Sequence, residues 1–283
     1  MLTGGSTTTT RSCRKIGIGL PNQVREVDAT VIPAWAAKAE EAGFSTLGTV
    51  GRIAYPAVLD TVALAAAAGA TRTIGLLSTV MLAPVWPATL LAKELAGIQA
   101  VSGGRLTFGV GGRPDDFVVE GTSTKGLGKR MDAALEAYRD LWSGKPVGAG
   151  TTREFRVVRS RCRCCSADSR PPRCADGPVG EGYVAEAMPA PQVVPAFDAA
   201  REAWRAEGRE SEPRLVAIAY FALGDVAQGR ANANHYYSVA GPQYADLVSA
   251  GVHGSTHVLR ETVKSSPTTD DLDDVARLAE IVL

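Results

Sequence analysis

Few residues of this chain have the types and spacing that chemistry needs. Gly109, Gly111 and Gly112 fall in the run Gly109-Val110-Gly111-Gly112, and Arg113, Asp115 and Asp116 follow directly. Glycines at a strand end let the backbone approach a flat ring or a polyol chain. A tight turn from strand to helix needs them for steric reasons alone, so the run by itself leaves both readings open. The charged residues after it suit an active-site rim or a solvated loop. Thr49-Val50-Gly51-Arg52 ends a second apolar stretch and makes Thr49 and Arg52 further candidates. Ser78, Thr79 and Val80 end a third, where a plain buried strand end is the simplest reading.

Other chemistries find little support. Histidine occurs at 235, 253 and 257, and no Gly-x-Ser-x-Gly motif exists, so a Ser–His nucleophile has no elbow to sit on. His235, in Asn234-His235-Tyr236-Tyr237, is expected on a helix surface. Cys162, Cys164, Cys165 and Cys174 crowd into one basic stretch, with Cys13 far away. Their spacing matches no common zinc pattern and no histidine lies nearby, so no metal is expected. Lys plus Arg and Asp plus Glu both count 30, and this zero net charge argues against nucleic acid or an anionic membrane as partner. A small-molecule substrate stays open, as does pairing into a homodimer. Residues 1–14 read as a disordered tail without the apolar centre of a secretory signal, so a cytoplasmic location is expected.

The elements that must position these residues alternate regularly. Residues 16–20, 44–50, 74–82 and 106–110 read as strands, each apolar on both faces as a buried parallel strand should be. Helical spacing covers 29–42. Asp60 can cap a helix running to Gly69, and Pro87 can open another to Val101. Such alternation gives an α/β fold with a parallel sheet, either doubly wound or a barrel, and both bind ligands at the C-terminal strand ends. A nicotinamide site would need Gly-x-Gly-x-x-Gly after the first strand. Gly17-Ile18-Gly19-Leu20-Pro21-Asn22 lacks the third glycine. Further on, helices are expected over 131–142, 195–207 and 270–283, and strands over 182–187 and 215–223.

Three stretches together resemble the bacterial luciferase-like monooxygenase family. They are Leu77-Ser78-Thr79-Val80 with Ala83-Pro84 and Pro87, then Ser102-Gly103-Gly104-Arg105-Leu106-Thr107-Phe108-Gly109-Val110-Gly111-Gly112-Arg113, then Lys129-Arg130-Met131 with Leu135-Glu136 and Leu141-Trp142. The resemblance implies a (β/α)8 TIM barrel over 15–283 that holds FMN or the deazaflavin coenzyme F-420. In the family a bulge at the end of the third strand, often with a non-proline cis peptide, supports the ring. Here that implies Ser78, Thr79 and Val80, with Gly109, Gly111 and Gly112 as the other cofactor-binding positions. Thr49, Arg52 and Arg113 become substrate or rim candidates. The implied reaction is monooxygenation with FMN, or hydride transfer with the deazaflavin, on a small organic molecule. The cofactor carries that chemistry, so no particular catalytic side chain is assigned.

Two places depart from the family pattern. Residues 159–180 are rich in Arg, Cys, Ser and Pro where a fifth strand and a phosphate-binding Gly-Gly turn are expected. With one choice of synonymous codons, residues 161–173 read two bases later encode Val-Pro-Leu-Leu-Phe-Gly-Gly-Phe-Ala-Pro-Ala-Ala, the missing apolar strand and turn. A frameshift is therefore the expectation there, with no regular strand packed in the core formed by the segment as written. Around 264–267 an eighth strand is also expected to be lost, leaving the barrel incomplete and an edge unpaired. The rival reading is an inactive remnant, or a cofactor-free binding protein of the same fold.

Overall fold

Apolar runs in the first half become strands, and the alanine-rich stretches become the helices that cover them. The computed structural model describes residues 16–144, 181–188, 191–222, 224–252, 275 and 278–280, and the backbone of 163–166, 180, 190 and 264–267. In chain order the elements are β1 (Gly17–Gly19), α1 (Val31–Glu41), β2 (Thr46–Thr49), α2 (Asp60–Ala70), β3 (Gly75–Met81), α3 (Ala88–Val101), β4 (Leu106–Val110), α4 (Pro114–Val119) and α5 (Leu127–Ser143). Then come β5 (Arg163–Ser166), β6 (Gly180–Val184), α6 (Ala190–Ala206), β7 (Arg214–Val216), β8 (Ile218–Phe221), α7 (Val226–Tyr237), α8 (Pro242–Ala250) and β9 (Lys264–Pro267).

All strand pairs are parallel, in the order β7-β6-β5-β4-β3-β2-β1-β9-β8. The two ends of this ladder, β7 and β8, are consecutive in the chain and separated only by Ala217. The segment 214–221 thus pairs with β6 through its first half and with β9 through its second. Counted as one bent strand, it gives the connectivity of an eight-membered parallel ring, the arrangement of a (β/α)8 barrel. Strands β1 to β4 are neighbours in sequence order, as the alternation predicts.

Three expectations need correction. Residues 264–267 were expected to leave a gap, yet they form β9, paired to β1 at Gly17 and Ile18 and to β8 along its length. Residues 159–180 were expected to hold no regular strand packed in the core, yet the backbone of 163–166 forms β5, paired between β4 and β6. The physical reason is common to both. A parallel ladder is made by backbone N–H and C=O groups, which Lys-Ser-Ser or Arg-Cys-Cys supply as readily as Leu or Val. The single strand expected over 215–223 is in fact interrupted at Ala217. The final helix is seen at residues 275 and 278–280, with Val275 and Leu278 buried in the main core.

Small residues set how closely the outer helices approach the ring. Ala36 and Ala39 of α1, and Ala63, Ala67 and Ala68 of α2, are buried against one another and the strands. Trp35 of α1 is wholly buried, and its indole N–H donates to the Gly19 carbonyl at 2.9 Å, fixing α1 on the end of β1. Phe108, Tyr138 and Trp142 do the same between β4 and α5, with ring centroids 5.3–6.3 Å apart. At the N-terminal end of the strands, the Glu40 carboxylate accepts backbone N–H bonds from Arg72, Thr73 and Ile74. Desolvation raises its pKa, and these bonds with that of the Thr73 hydroxyl together outweigh it and bring the pKa down to about 2.

Candidate cofactor site

The C-terminal end of β3 leaves the regular ladder. Its register with β4 shifts between Ser78 and Met81, and the Thr79–Val80 peptide is cis. Ser78, fully buried, stitches the strand to β4: its hydroxyl donates to the Gly109 carbonyl at 3.1 Å and accepts from the Gly109 N–H at 3.0 Å. Thr79 stitches the other side, its hydroxyl donating to the Thr49 carbonyl of β2 at 2.8 Å. The Val80 carbonyl accepts from Gly51, and that of Met81 from Gly111. The bulge is thereby held from both flanking strands by side-chain and backbone bonds together.

This packing gives glycine at 109 a specific reason. A Cβ there would lie 2.7 Å from the Ser78 carbonyl oxygen and 3.1 Å from a Val80 methyl. The same holds at Gly51, where a Cβ would meet the Val80 oxygen at 2.6 Å and the Asp60 carboxyl at 2.7 Å. Gly109 therefore makes room for the bulge and does not border open space. At Gly112 a Cβ would press on the Phe117 ring at 2.9 Å.

Above the bulge lies a cavity. Its walls are Val50 and Gly51 after β2, Thr79, Val80 and Leu82 at β3, Gly111, Gly112 and Arg113 after β4, and residues 184–187 after β6. Ile218 and Tyr220 of β8, Tyr236 and Tyr237 of α7, and Tyr244 of α8 complete it. β2, β3, β4 and β6 deliver their C-terminal ends, where parallel barrels carry their sites, and β8 adds Ile218 and Tyr220. Its floor is apolar: Val80 and Ile218 pack on the buried Leu77, Val184 and Val216.

Of the residues picked out from sequence, Thr79, Val80, Gly111, Gly112 and Arg113 line this cavity. Ser78, Gly109 and Thr49 lie behind that wall and support it. Arg52 turns elsewhere. Its guanidinium is buried and pairs with Asp115 and with Asp116, the latter at 3.0 Å, and donates to the Tyr236 backbone carbonyl at 3.3 Å. Asp116, without solvent exposure, also accepts from the backbone N–H groups of Ile53 and Ala54, both at 2.7 Å. Arg52 thus fastens the β2 end to α4 and α7. His235 is exposed and lies against the Tyr55 ring.

Sequence reading missed the tyrosines. Tyr220 and Tyr237 share a hydroxyl–hydroxyl bond of 2.8 Å, and Tyr244 donates to Glu186 at 3.0 Å. Burial raises the pKa of all four cavity tyrosines, that of Tyr237 to about 12, so they stay protonated through the neutral range. The stretch 234–237 drew attention for its histidine, while the adjacent Tyr236-Tyr237 pair carried the signal. Asp60 was missed as well. It was read as a helix cap; instead it is the first residue of α2, wholly enclosed, with its Oδ2 unpartnered among the described residues. Burial, with smaller contributions from Glu94 and Asp116, raises its pKa to about 7. Among the described residues no group of three or more His, Cys, Asp or Glu could hold a metal ion; Cys162 and Cys174 lie outside them. No helix of the described residues is long and apolar enough to cross a membrane.

Comparison with known proteins agrees with this geometry. An uncharacterized protein of Mycobacterium tuberculosis is 30% identical over 141 aligned residues, 41% of this chain and 49% of that one. The match spans about half the length of the curated relatives. Among solved structures, a monooxygenase of Streptomyces bottropensis superposes with a TM-score of 0.71 at 22% identity, over 94% of this chain and 97% of the other. The coenzyme F-420-dependent tetrahydromethanopterin reductase of Methanopyrus kandleri gives 0.71 at 13% identity, over 95% and 98%. The oxygenating constituent of 3,6-diketocamphane monooxygenase of Pseudomonas putida, in complex with FMN, gives 0.66 at 13%, over 95% of each chain. At these identities the likeness speaks for the fold. The model of the luciferase-like monooxygenase family matches residues 15–280, and with the ring order and the cavity at its mouth this places the chain in that family.

Proposed function

We propose that the chain is an oxidoreductase that binds FMN or coenzyme F-420 at the mouth of its barrel and acts on a small organic molecule. One observation carries this reading. The β3 bulge, fastened on both flanks, presents Thr79 and Val80 beside the side-chain-free Gly111 and Gly112 on an apolar floor. The residues present fit a planar tricyclic ring: Val80 and Ile218 offer an apolar shelf, and Gly111 lets the main chain come close at its edge, with Gly112 beside it held by the Phe117 ring. Thr79, Val80, Gly111 and Gly112 would hold the ring, with Ser78 and Gly109 keeping the shelf in place. The bound group would supply hydride or oxygen chemistry. The protein's part is to orient the two reactants and exclude water, with Arg113 and the tyrosines facing the substrate. Similarity to one structure that holds FMN and to another named for coenzyme F-420 supports either cofactor.

The phosphate end would depend on the residues at and after the end of β5, where the shifted reading frame places Gly-Gly. The strand occupies 163–166, the positions that the shifted frame reads as Leu-Leu-Phe-Gly. Two charge-assisted hydrogen bonds to a phosphate contribute roughly 1.5–3 kcal/mol each. Replacing 161–172 by Val-Pro-Leu-Leu-Phe-Gly-Gly-Phe-Ala-Pro-Ala-Ala should then tighten binding by roughly two to four powers of ten. Both versions are titrated with FMN and with coenzyme F-420, following cofactor fluorescence. Saturable binding of one cofactor, stronger in the replaced version, is expected. Failure of both versions to bind either one, while folded by circular dichroism, defeats the proposal and favours a cofactor-free protein.

A further inference from the structure

The cavity holds a cation that the protein leaves largely uncompensated. Arg113 lies on the rings of Tyr236 and Tyr237, its guanidinium carbon 5.4 and 5.1 Å from their centroids. Among the described residues its guanidinium makes one ion pair, to Asp115 at 3.9 Å, the outer limit of such a contact, and no hydrogen bond. The reason is the neighbouring arginine. Arg52 takes the other oxygen of Asp115 and the whole of one side of Asp116, so the two acids beside the two arginines are spent mainly on one of them. The cavity's remaining acid, Glu186, is exposed and accepts from Tyr244. A partly buried guanidinium with five donors gains most from a planar oxyanion, which it can bind by two parallel bonds. The aromatic bed beneath it and the Tyr220 and Tyr244 rings beside it suit a flat, conjugated body attached to that oxyanion.

We propose that Arg113 forms an oxyanion subsite, so that the substrate is an aromatic acid. This rests on the reading above that the cavity is the substrate chamber of an oxidoreductase. Arg113 would set the substrate's orientation across the shelf and reject neutral analogues, whose binding would leave the guanidinium desolvated and unpaired. The other source of the same anionic chemistry is the cofactor's own phosphate, and the experiment separates the two.

The probes are 4-hydroxybenzoate and its methyl ester, measured by calorimetry at neutral pH, with the protein alone and saturated with whichever cofactor it binds. The acid should bind at least tenfold more tightly than the ester. Arg113→Met should weaken the acid at least tenfold, leave the ester unchanged, and leave the cofactor dissociation constant unchanged. Arg113→Lys keeps the charge but not the fork, and should recover only part of the preference. Absence of any preference for the acid, including failure of both probes to bind, overturns the proposal, as does a preference that survives in Arg113→Met. Loss of cofactor affinity in Arg113→Met, with inorganic phosphate competing for the site in the parent, also overturns it and assigns the anion to the cofactor. An acid preference in a protein that binds no cofactor would keep the subsite and reject the oxidoreductase reading.

Discussion

Replacing Asp60 by asparagine removes a buried carboxyl close to the bulge and should change how stability depends on pH. Asp60 has its ordinary pKa of 3.8 in the unfolded chain and about 7 in the fold, because burial disfavours the charged form. The folded state therefore binds this proton more tightly than the unfolded state. Its contribution is neutral below about pH 4, and stability is lost as pH rises toward 7, where the full cost, roughly 4 kcal/mol, has accumulated. Between pH 5 and pH 8 this one group costs the parent roughly 2–3 kcal/mol. The amide introduced by Asp60→Asn would keep the shape and the oxygen that accepts from the Thr61 N–H at 3.0 Å, but cannot ionise. Burying that amide adds a cost of about 1–3 kcal/mol that is the same at every pH. Urea unfolding of both proteins from pH 5 to pH 8 gives the test: the Asp60→Asn variant should lose roughly 2–3 kcal/mol less than the parent over that interval. Parallel curves, offset by a constant, would refute the reasoning. They would mean that Asp60 is ionised in the fold with a compensating partner.

Two further predictions concern the framework of the cavity. Arg52→Met strands the buried Asp116 and should destabilise the fold by about 3–5 kcal/mol in urea, with part of the loss recovered by adding Asp116→Asn; a cost below about 1 kcal/mol would show that the pairs are not what fastens α4 and α7. Gly109→Ala should cost about 1–3 kcal/mol, because the added methyl meets the Ser78 oxygen at 2.7 Å within a wall held on both sides. An unchanged unfolding midpoint would show that the bulge gives way freely.

The first half was legible because its signals are local. β4 has the bounds its apolar run predicts, and α3 starts immediately after Pro87. The position of the bulge and the glycines facing the cavity came from a family resemblance carried by a few short motifs. Their geometry explains some of those motifs differently, since Gly109 answers to Ser78 and Val80 and not to a ligand. What escaped was non-local. The partners of Arg52 lie 63, 64 and 184 residues away, and nothing around Arg52 announces them. β5 and β9 escaped because their residues lack the apolar pattern by which strands are read, whereas pairing in the ring needs only their backbone. Asp60 looked like any capping acid, and only its enclosure by neighbouring elements sets it apart.

The meeting of β1 with β9 also has a consequence for how the molecule is made. Gly17 and Lys264 pair across almost the whole described chain, so the outer edge of the first strand has no partner until the last one has been synthesised. Contacts of such sequence separation form slowly, because loop closure must precede their reward. A ribosome adding residues in order would carry a growing sheet with two open sides, one at β1 and one at the newest strand, until residues 264–267 emerge. Translation halted before that point would release a chain whose Gly17–Gly19 and Ile218–Phe221 edges are both available to other chains. The four residues 264–267 thus close the edge of β1 that would otherwise be open to another chain.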